Sequence, residues 1–204
     1  MIFIAIILSY LLGSMPTAYL VGKAYKGIDI RKHGSGNVGA SNTFRVLGRN
    51  PGIFVLVVDI LKGVLALVLI GGILRINGAL GLALLGVAAV CGHNWTCFLN
   101  FQGGKGIATS LGVLIGLTIK FPMLLPVLLM AVLSWILTLY FSRYISLSSM
   151  IAAFVLPIAM LITGQGFEMI LLGAIFCVFV IYRHKSNIAR LSNGTENKVP
   201  FFKK

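Results

Sequence analysis

The chain has 204 residues, of which 58% are hydrophobic and only 10% charged, and its net charge is +13. A soluble globular domain carries about 25% charged residues, so the composition excludes one and points to a membrane protein without a separate soluble domain. In a soluble chain this basicity would suggest nucleic acid; here it is read through topology, and no nucleic-acid partner is expected.

The apolar runs are continuous rather than alternating, which argues against a β-barrel and for helices. A spanning helix needs roughly 20 residues. Runs fall near 2–22, 53–74, 79–98, 107–119, 122–140, 147–164 and 167–182. The expected architecture is all-α: a polytopic membrane protein of seven transmembrane helices forming a single domain over 1–204. The first run has no basic leader, which favours a retained span over a cleaved signal. The fourth and seventh runs are short and are expected to tilt or to thin the bilayer locally. Lys120-Phe121-Pro122 separates the fourth from the fifth, because proline interrupts helical hydrogen bonding.

Charge sets the orientation. With seven spans, segment 23–51 and tail 183–204 share a side, and 15 of the 17 Lys and Arg lie on or near it, leaving only Arg75 and Lys120 opposite. The positive-inside rule makes that side cytoplasmic and the N-terminus external. The cytoplasmic loops hold the unusual sequence, whereas the outer connections are minimal. Cys91, Cys97 and Cys177 show no ligand spacing and read as small buried apolar residues. No metal and no cofactor is expected.

The polar loops carry the candidate chemistry. The first contains Gly34-Ser35-Gly36-Asn37-Val38-Gly39-Ala40-Ser41-Asn42-Thr43-Phe44-Arg45. It matches G-x-G-x-x-G formally, but no βαβ unit surrounds it, so a dinucleotide fold is excluded. Glycine turns can still aim N–H groups at an anion, Ser35, Asn37, Ser41 and Asn42 add donors, and Arg45 can grip a phosphate with two hydrogen bonds. A polar interfacial turn with a snorkelling Arg is the plainer reading. Asp59 and Lys62 lie in the second run at i and i+3, on one helix face. Charges in a span usually face the protein interior or a wet cavity; direct substrate contact and structural support both fit this pair. His93 and Asn94 stand near the end of the third run, where a histidine is more often hydrogen-bonded structure than catalyst.

The stretch Phe101-Gln102-Gly103-Gly104-Lys105-Gly106-Ile107 resembles a nucleotide loop, but Leu99 replaces the first glycine of that motif and Gly106 its hydroxyl residue. What remains is a glycine turn entering a helix near Ile107, with Thr109 in its first turn. Helix N-termini favour phosphate, and Lys105 adds a full charge. Ser142 and Arg143 precede the sixth run, where serines and one Arg can either cap the helix or bind an anion. In the tail, His184 and Asn187 share a helix face with Lys185 beside them; Lys203 and Lys204 read as attraction to lipid headgroups. The four acids are too scattered for the carboxylate-held metals of lipid-phosphate chemistry. The set fits transfer between a soluble phosphate and a lipid-like partner. A transporter would want ionisable groups through the midplane and openings on both faces, and the outer face is bare.

Taken together, the segments GSMPTAYLVGK, GSGNVGASNTFRVLGR, DILKG, GHNWTCFLNFQGGKGIATSLG, SRYISLSS and RHKSNIARLSNGTENK resemble the bacterial integral-membrane glycerol-3-phosphate acyltransferase family called PlsY, over nearly the whole chain. The resemblance implies acyl transfer from acyl phosphate to the sn-1 hydroxyl of glycerol 3-phosphate in the plasma membrane, with membrane lipids as surroundings. It puts the family's essential Ser and Arg at Ser35 and Arg45, its glycine-rich glycerol-phosphate loop at Gly103, Gly104, Lys105 and Gly106, and its tail His, Asn and structural Glu at His184, Asn187 and Glu196. Ser35, Arg45, Lys105, His184 and Asn187 are the expected catalytic residues; from the loops themselves Gly36, Asn37, Asn42, Thr109, Ser142, Arg143 and Lys185 are expected to join the glycines in binding substrate, and Asp59, Lys62 and His93 to support. Two departures are Ser41, where Thr is usual, and Trp95-Thr96 in place of an aromatic-Pro pair, which bears on the local bend of the third span. The oligomeric state is left open, a monomer being compatible.

Overall fold

The computed structural model describes residues 1–199; Lys203 and Lys204 lie outside the described residues. Every regular element among them is helical. In order these are α1 (Ile2–Ser14), α2 (Thr17–Lys26), α3 (Ala40–Leu47), α4 (Arg49–Leu65) continued by a π-helical turn (Ala66–Ile70) and α5 (Gly71–Ile73), α6 (Ala79–Asn94), α7 (Ile107–Lys120), α8 (Leu125–Ser142), α9 (Ile145–Ile162), α10 (Phe167–Arg183) and α11 (Lys185–Ser192). Helix forms under all seven predicted apolar runs. Five segments are long and apolar enough to cross a membrane: Ile2–Lys26, Arg49–Ile73, Ala79–Leu99, Pro122–Ser142 and Ile145–Ile162. The pair α10 and α11, bent by 59°, makes a sixth if taken as one. Helix α7 has 14 residues, about 21 Å at 1.5 Å per residue, short of a hydrocarbon core of roughly 30 Å.

The chain divides into two compact units, Met1–Phe121 and Pro122–Lys204. In the first unit helices cross where glycines strip away the side chain. A Cβ on Gly112 would overlap the Ile60 carbonyl, and one on Gly63 would meet Thr109 and Val113 backbone, so α4 and α7 touch main chain to main chain. Gly13 and Gly92 do the same between α1 and α6. Helices in lipid gain little from hydrophobic burial and associate through such close packing. In the second unit Gly173 of α10 lies against Pro157 and Met160 of α9. The outward faces stay greasy: Leu133, Phe154 and Val178 are 55%, 59% and 64% exposed, as a bilayer solvent requires.

The first run departs from one straight span of 2–22. Pro16 has no N–H, so the helix stops at Ser14 and resumes at Thr17. The second run starts earlier than predicted, at Arg49, because Pro51 sits in the first turn, where its missing N–H costs nothing. Cys91, Cys97 and Cys177 are free thiols and only half-buried, where buried ones were expected.

Because Gly112 admits no Cβ, replacing it should separate α4 from α7. Overpacking a close crossing costs about 1–3 kcal/mol or more. Gly112→Leu should lower the thermal midpoint in detergent sharply, whereas an alanine at the unobstructed Gly72 should leave it near native.

Candidate functional site

The first loop is built by one side chain. Asn42, on α3 and 1% exposed, accepts from the Ser35 N–H at 2.8 Å and donates to the carbonyls of His33 (3.0 Å) and Ile30 (3.3 Å). Its amide is therefore spent on the loop. These bonds hold Ser35 at the surface. Gly36 takes φ 71° with the Arg31 carbonyl beside it, a conformation that a side chain would strain. Asp29 caps the short turn before this loop, and the Arg31 guanidinium grips its carboxylate at 2.7–3.2 Å. That charged hydrogen bond holds the Asp29 carboxyl at about 2, against a smaller opposing push from desolvation. Arg45 is exposed on α3, and among the described residues it has no hydrogen-bond or ion-pair partner, so its guanidinium is available.

The glycine loop folds back on the end of α6. The Gly104 N–H donates to His93 O at 2.9 Å, and the Gly103 N–H to Asn94 O at 3.2 Å. These two amides close the loop onto the helix end. Their glycines are required by proximity, since a Cβ on Gly104 would overlap the His93 ring. The turn ends at Gly106, whose φ of 75° opens α7. The first-turn N–H groups of α7 have no intrahelical acceptor by helix geometry. The helix start at Gly106 stands beside the half-exposed Lys105. Asn94 and Thr109 are fully buried under this turn, and neither the Asn94 amide nor the Thr109 hydroxyl has a partner among the described residues.

Beneath the loop lies a cavity of about 10 Å³, room for roughly one water centre. Asp59 and Lys62 line it with His93, Gly104 and the helix break at Ser14–Thr17. Asp59 and Lys62 form an ion pair at 2.8 Å, each 2% exposed. The Lys62 Nζ also donates to the Met15 carbonyl, and the His93 Nδ1 stands 3.8 Å from the Asp59 carboxylate. The residues that sequence reasoning missed here are Ser14, Thr17 and Thr96. The signal was Pro16 inside an apolar run, which requires polar partners nearby.

In the second unit the serines of 142–149 mostly serve the helices. The Ser142 Oγ donates to Thr138 O and accepts from Tyr144 N–H, so it stitches the end of α8 into the turn. Arg143 takes φ 63° there and is exposed. His184 is the joint between α10 and α11, 2% exposed, with Nδ1 2.7 Å from Val180 O. A carbonyl only accepts, so Nδ1 carries the proton and Nε2 is the basic nitrogen of the neutral ring. Lys185 is exposed, stacked over Tyr182. Glu196 ties the tail down: its Oε1 accepts from Ser146 (2.9 Å) and Asn187 (2.7 Å), and its Oε2 from Arg190 (2.7 Å). Burial pushes its carboxyl up, but these three donors and the Arg190 charge outweigh burial and hold it below the ordinary range.

A helical membrane protein with glycine turns, hydroxyls and cations gathered at loop ends is a class suited to lipid-phosphate substrates. Comparison narrows the class. The model of the family described as glycerol-3-phosphate acyltransferase matches residues 3–194, and the chain belongs to this family. A glycerol-3-phosphate acyltransferase of Fusobacterium nucleatum is 44% identical over 199 residues, 98% of each chain. One of Desulforudis audaxviator is 48% identical over 197 residues, 96% of this chain and 94% of that one. Two crystal structures of PlsY (YgiH), an integral membrane glycerol 3-phosphate acyltransferase, are 34% identical and cover 97% of this chain. The glycerol 3-phosphate form has a TM-score of 0.87 over 95% of its chain, and the lysophosphatidic acid form 0.83 over 94%.

A depressed carboxyl contributes stability above its unfolded pKa and loses it as pH falls through the folded value. Hydrogen-exchange protection of the amides around Asn187–Glu196 should therefore fall only once pH drops below the ordinary carboxylate range. In Glu196→Gln that acid-dependent loss should vanish and protection should be low throughout.

Proposed function

We propose that the chain transfers a fatty acyl group from acyl phosphate to the sn-1 hydroxyl of glycerol 3-phosphate, on the cytoplasmic side of the bacterial plasma membrane. The products are lysophosphatidic acid and inorganic phosphate. The observation that carries this reading is the helix start at Gly106, with Lys105 beside it, at the end of an apolar helix: a phosphate site at the edge of a membrane. The related solved structures name an acceptor and its acylated product, which differ by one acyl group. Charge supports the topology, seven crossings with the N-terminus outside, in which the short α7 thins the bilayer locally.

The donor is a mixed anhydride whose phosphate leaves readily, so the hydroxyl attacks the acyl carbonyl directly. The new C–O bond forms, the bond from carbonyl carbon to phosphate oxygen breaks, and phosphate departs with the electron pair. No acyl group is carried on the protein. Ser35, Arg45, Lys105 and the first-turn amides of α7 hold the two phosphates and neutralise charge as it develops. The glycines 36, 103, 104 and 106 shape the turns, with Asn37 and Arg143 as further contacts. His184 accepts the hydroxyl proton at Nε2, the nitrogen its tautomer leaves basic, and Asn187, its amide fixed by Glu196, stands on the next helical turn.

Purified protein in detergent, given glycerol 3-phosphate, should form product from acyl phosphate and none from acyl-CoA; the reverse preference would overturn the donor. Arg45→Ala should lower kcat/KM by about 10²-fold, as loss of one charged transition-state donor does, and near-native activity would remove the phosphate clamp. In single-turnover experiments with both substrates saturating, His184→Ala should slow the step and flatten its pH profile. An unchanged rate would pass the base role to a substrate phosphate oxygen.

A further inference from the structure

We infer that the buried Asp59–Lys62 pair, with Thr96, positions the glycine loop for the acceptor and does not itself touch substrate. This rests on the reading of the Gly106 turn as an acceptor phosphate site. Both charged side chains are 2% exposed, and the Lys62 Nζ and the Asp59 Oδ1 are engaged within the protein. The Lys62 Nζ is divided between Asp59 and the Met15 carbonyl. The Thr96 Oγ1 donates to the Ser14 carbonyl at 2.5 Å. Both carbonyls lie immediately before Pro16, at the break between α1 and α2, where the Met15 carbonyl also accepts the Thr17 N–H at 3.0 Å. A carbonyl at a helix break in hydrocarbon needs a donor: Thr96 supplies one to Ser14, and Lys62 adds a second to Met15 beside the Thr17 N–H.

The same atoms reach the loop. Asp59 lies 3.8 Å from His93; the His93 carbonyl receives the Gly104 N–H, and the His93 ring fills the space a Gly104 side chain would need. Thr96 also accepts from Phe98 N–H at 3.2 Å through its hydroxyl, and from Phe101 N–H at 2.9 Å through its carbonyl. The chain from Met15 through Lys62, Asp59 and His93 to Gly104 thus joins three helices to the loop that opens α7. A displaced pair would displace the loop, and the α7 N-terminus with it.

The test separates positioning from mere filling. Removing one member of a buried ion pair strands the other charge, whereas replacing both by apolar residues of similar volume is often neutral for folding. The double variant Asp59→Leu/Lys62→Met should therefore keep a thermal midpoint close to native in detergent. Its KM for glycerol 3-phosphate should rise at least about tenfold, the scale of a misplaced binding group, with the KM for acyl donor held within about twofold. Native KM values, an equal rise in both, or a rate loss that only tracks the folded fraction would overturn the inference. If the double variant does not fold, Thr96→Val gives the same reading: a selective rise in the acceptor KM supports positioning, and an unchanged or unselective one overturns it. Gly104→Ala is the control for the site. If it raises the acceptor KM while the pair variants do not, positioning fails and the loop reading stands. If Gly104→Ala leaves the acceptor KM unchanged, the loop reading itself fails.

Discussion

A helix interrupted inside an apolar layer leaves carbonyls that lipid cannot satisfy, and the first unit is arranged around that fact. Pro16 interrupts the Ile2–Lys26 segment, and Lys62 and Thr96 answer with donors to Met15 and Ser14. A lysine buried there brings a charge that needs a partner, which Asp59 supplies one helical turn earlier. The pair draws α4 to the break in α1–α2 and sets a carboxylate near His93, at the end of α6. The helix break at Pro16 thus gathers the polar side chains of α4 and the end of α6 directly below the glycine loop.

Glycine does two different jobs in this chain. Within helices, Gly13, Gly63, Gly92 and Gly112 let backbones meet, supplying dispersion contact that lipid-facing helices cannot replace with hydrophobic burial. In the loops, Gly104 clears room for the His93 ring while Gly106 supplies the left-handed turn that starts α7. Helix packing and loop shape therefore rest on the same residue type for different reasons, and neither use requires the glycine to donate to a ligand.

The acids are used sparingly. The chain holds four Asp and Glu against 17 Lys and Arg. Three of the four acids are committed to holding something still: Asp29 to Arg31, Asp59 to Lys62, and Glu196 to Arg190, Asn187 and Ser146. Each fixes a turn, a helix break or the tail, and each spends only one cation. Arg45 keeps its guanidinium unspent, and that surplus is what an anionic substrate would meet.

Hydrophobicity alone determined the helical class, since runs of apolar residues near membrane length have no other stable form in lipid. The motif set carried the family, and the i, i+3 spacing put Asp59 and Lys62 on one face before any contact was known. Tertiary structure decided which donors face what. Asn42 resembled a ligand donor in sequence, but the fold turns its amide into the loop. Gly103 and Gly104 resembled an anion cradle, but their N–H groups close back on His93 and Asn94. Lys62 and Thr96 gave no sign that they serve carbonyls 47 and 82 residues away. Hydrogen bonds pair groups by proximity in space, and for residues so far apart along the chain that proximity exists only once the helices have packed.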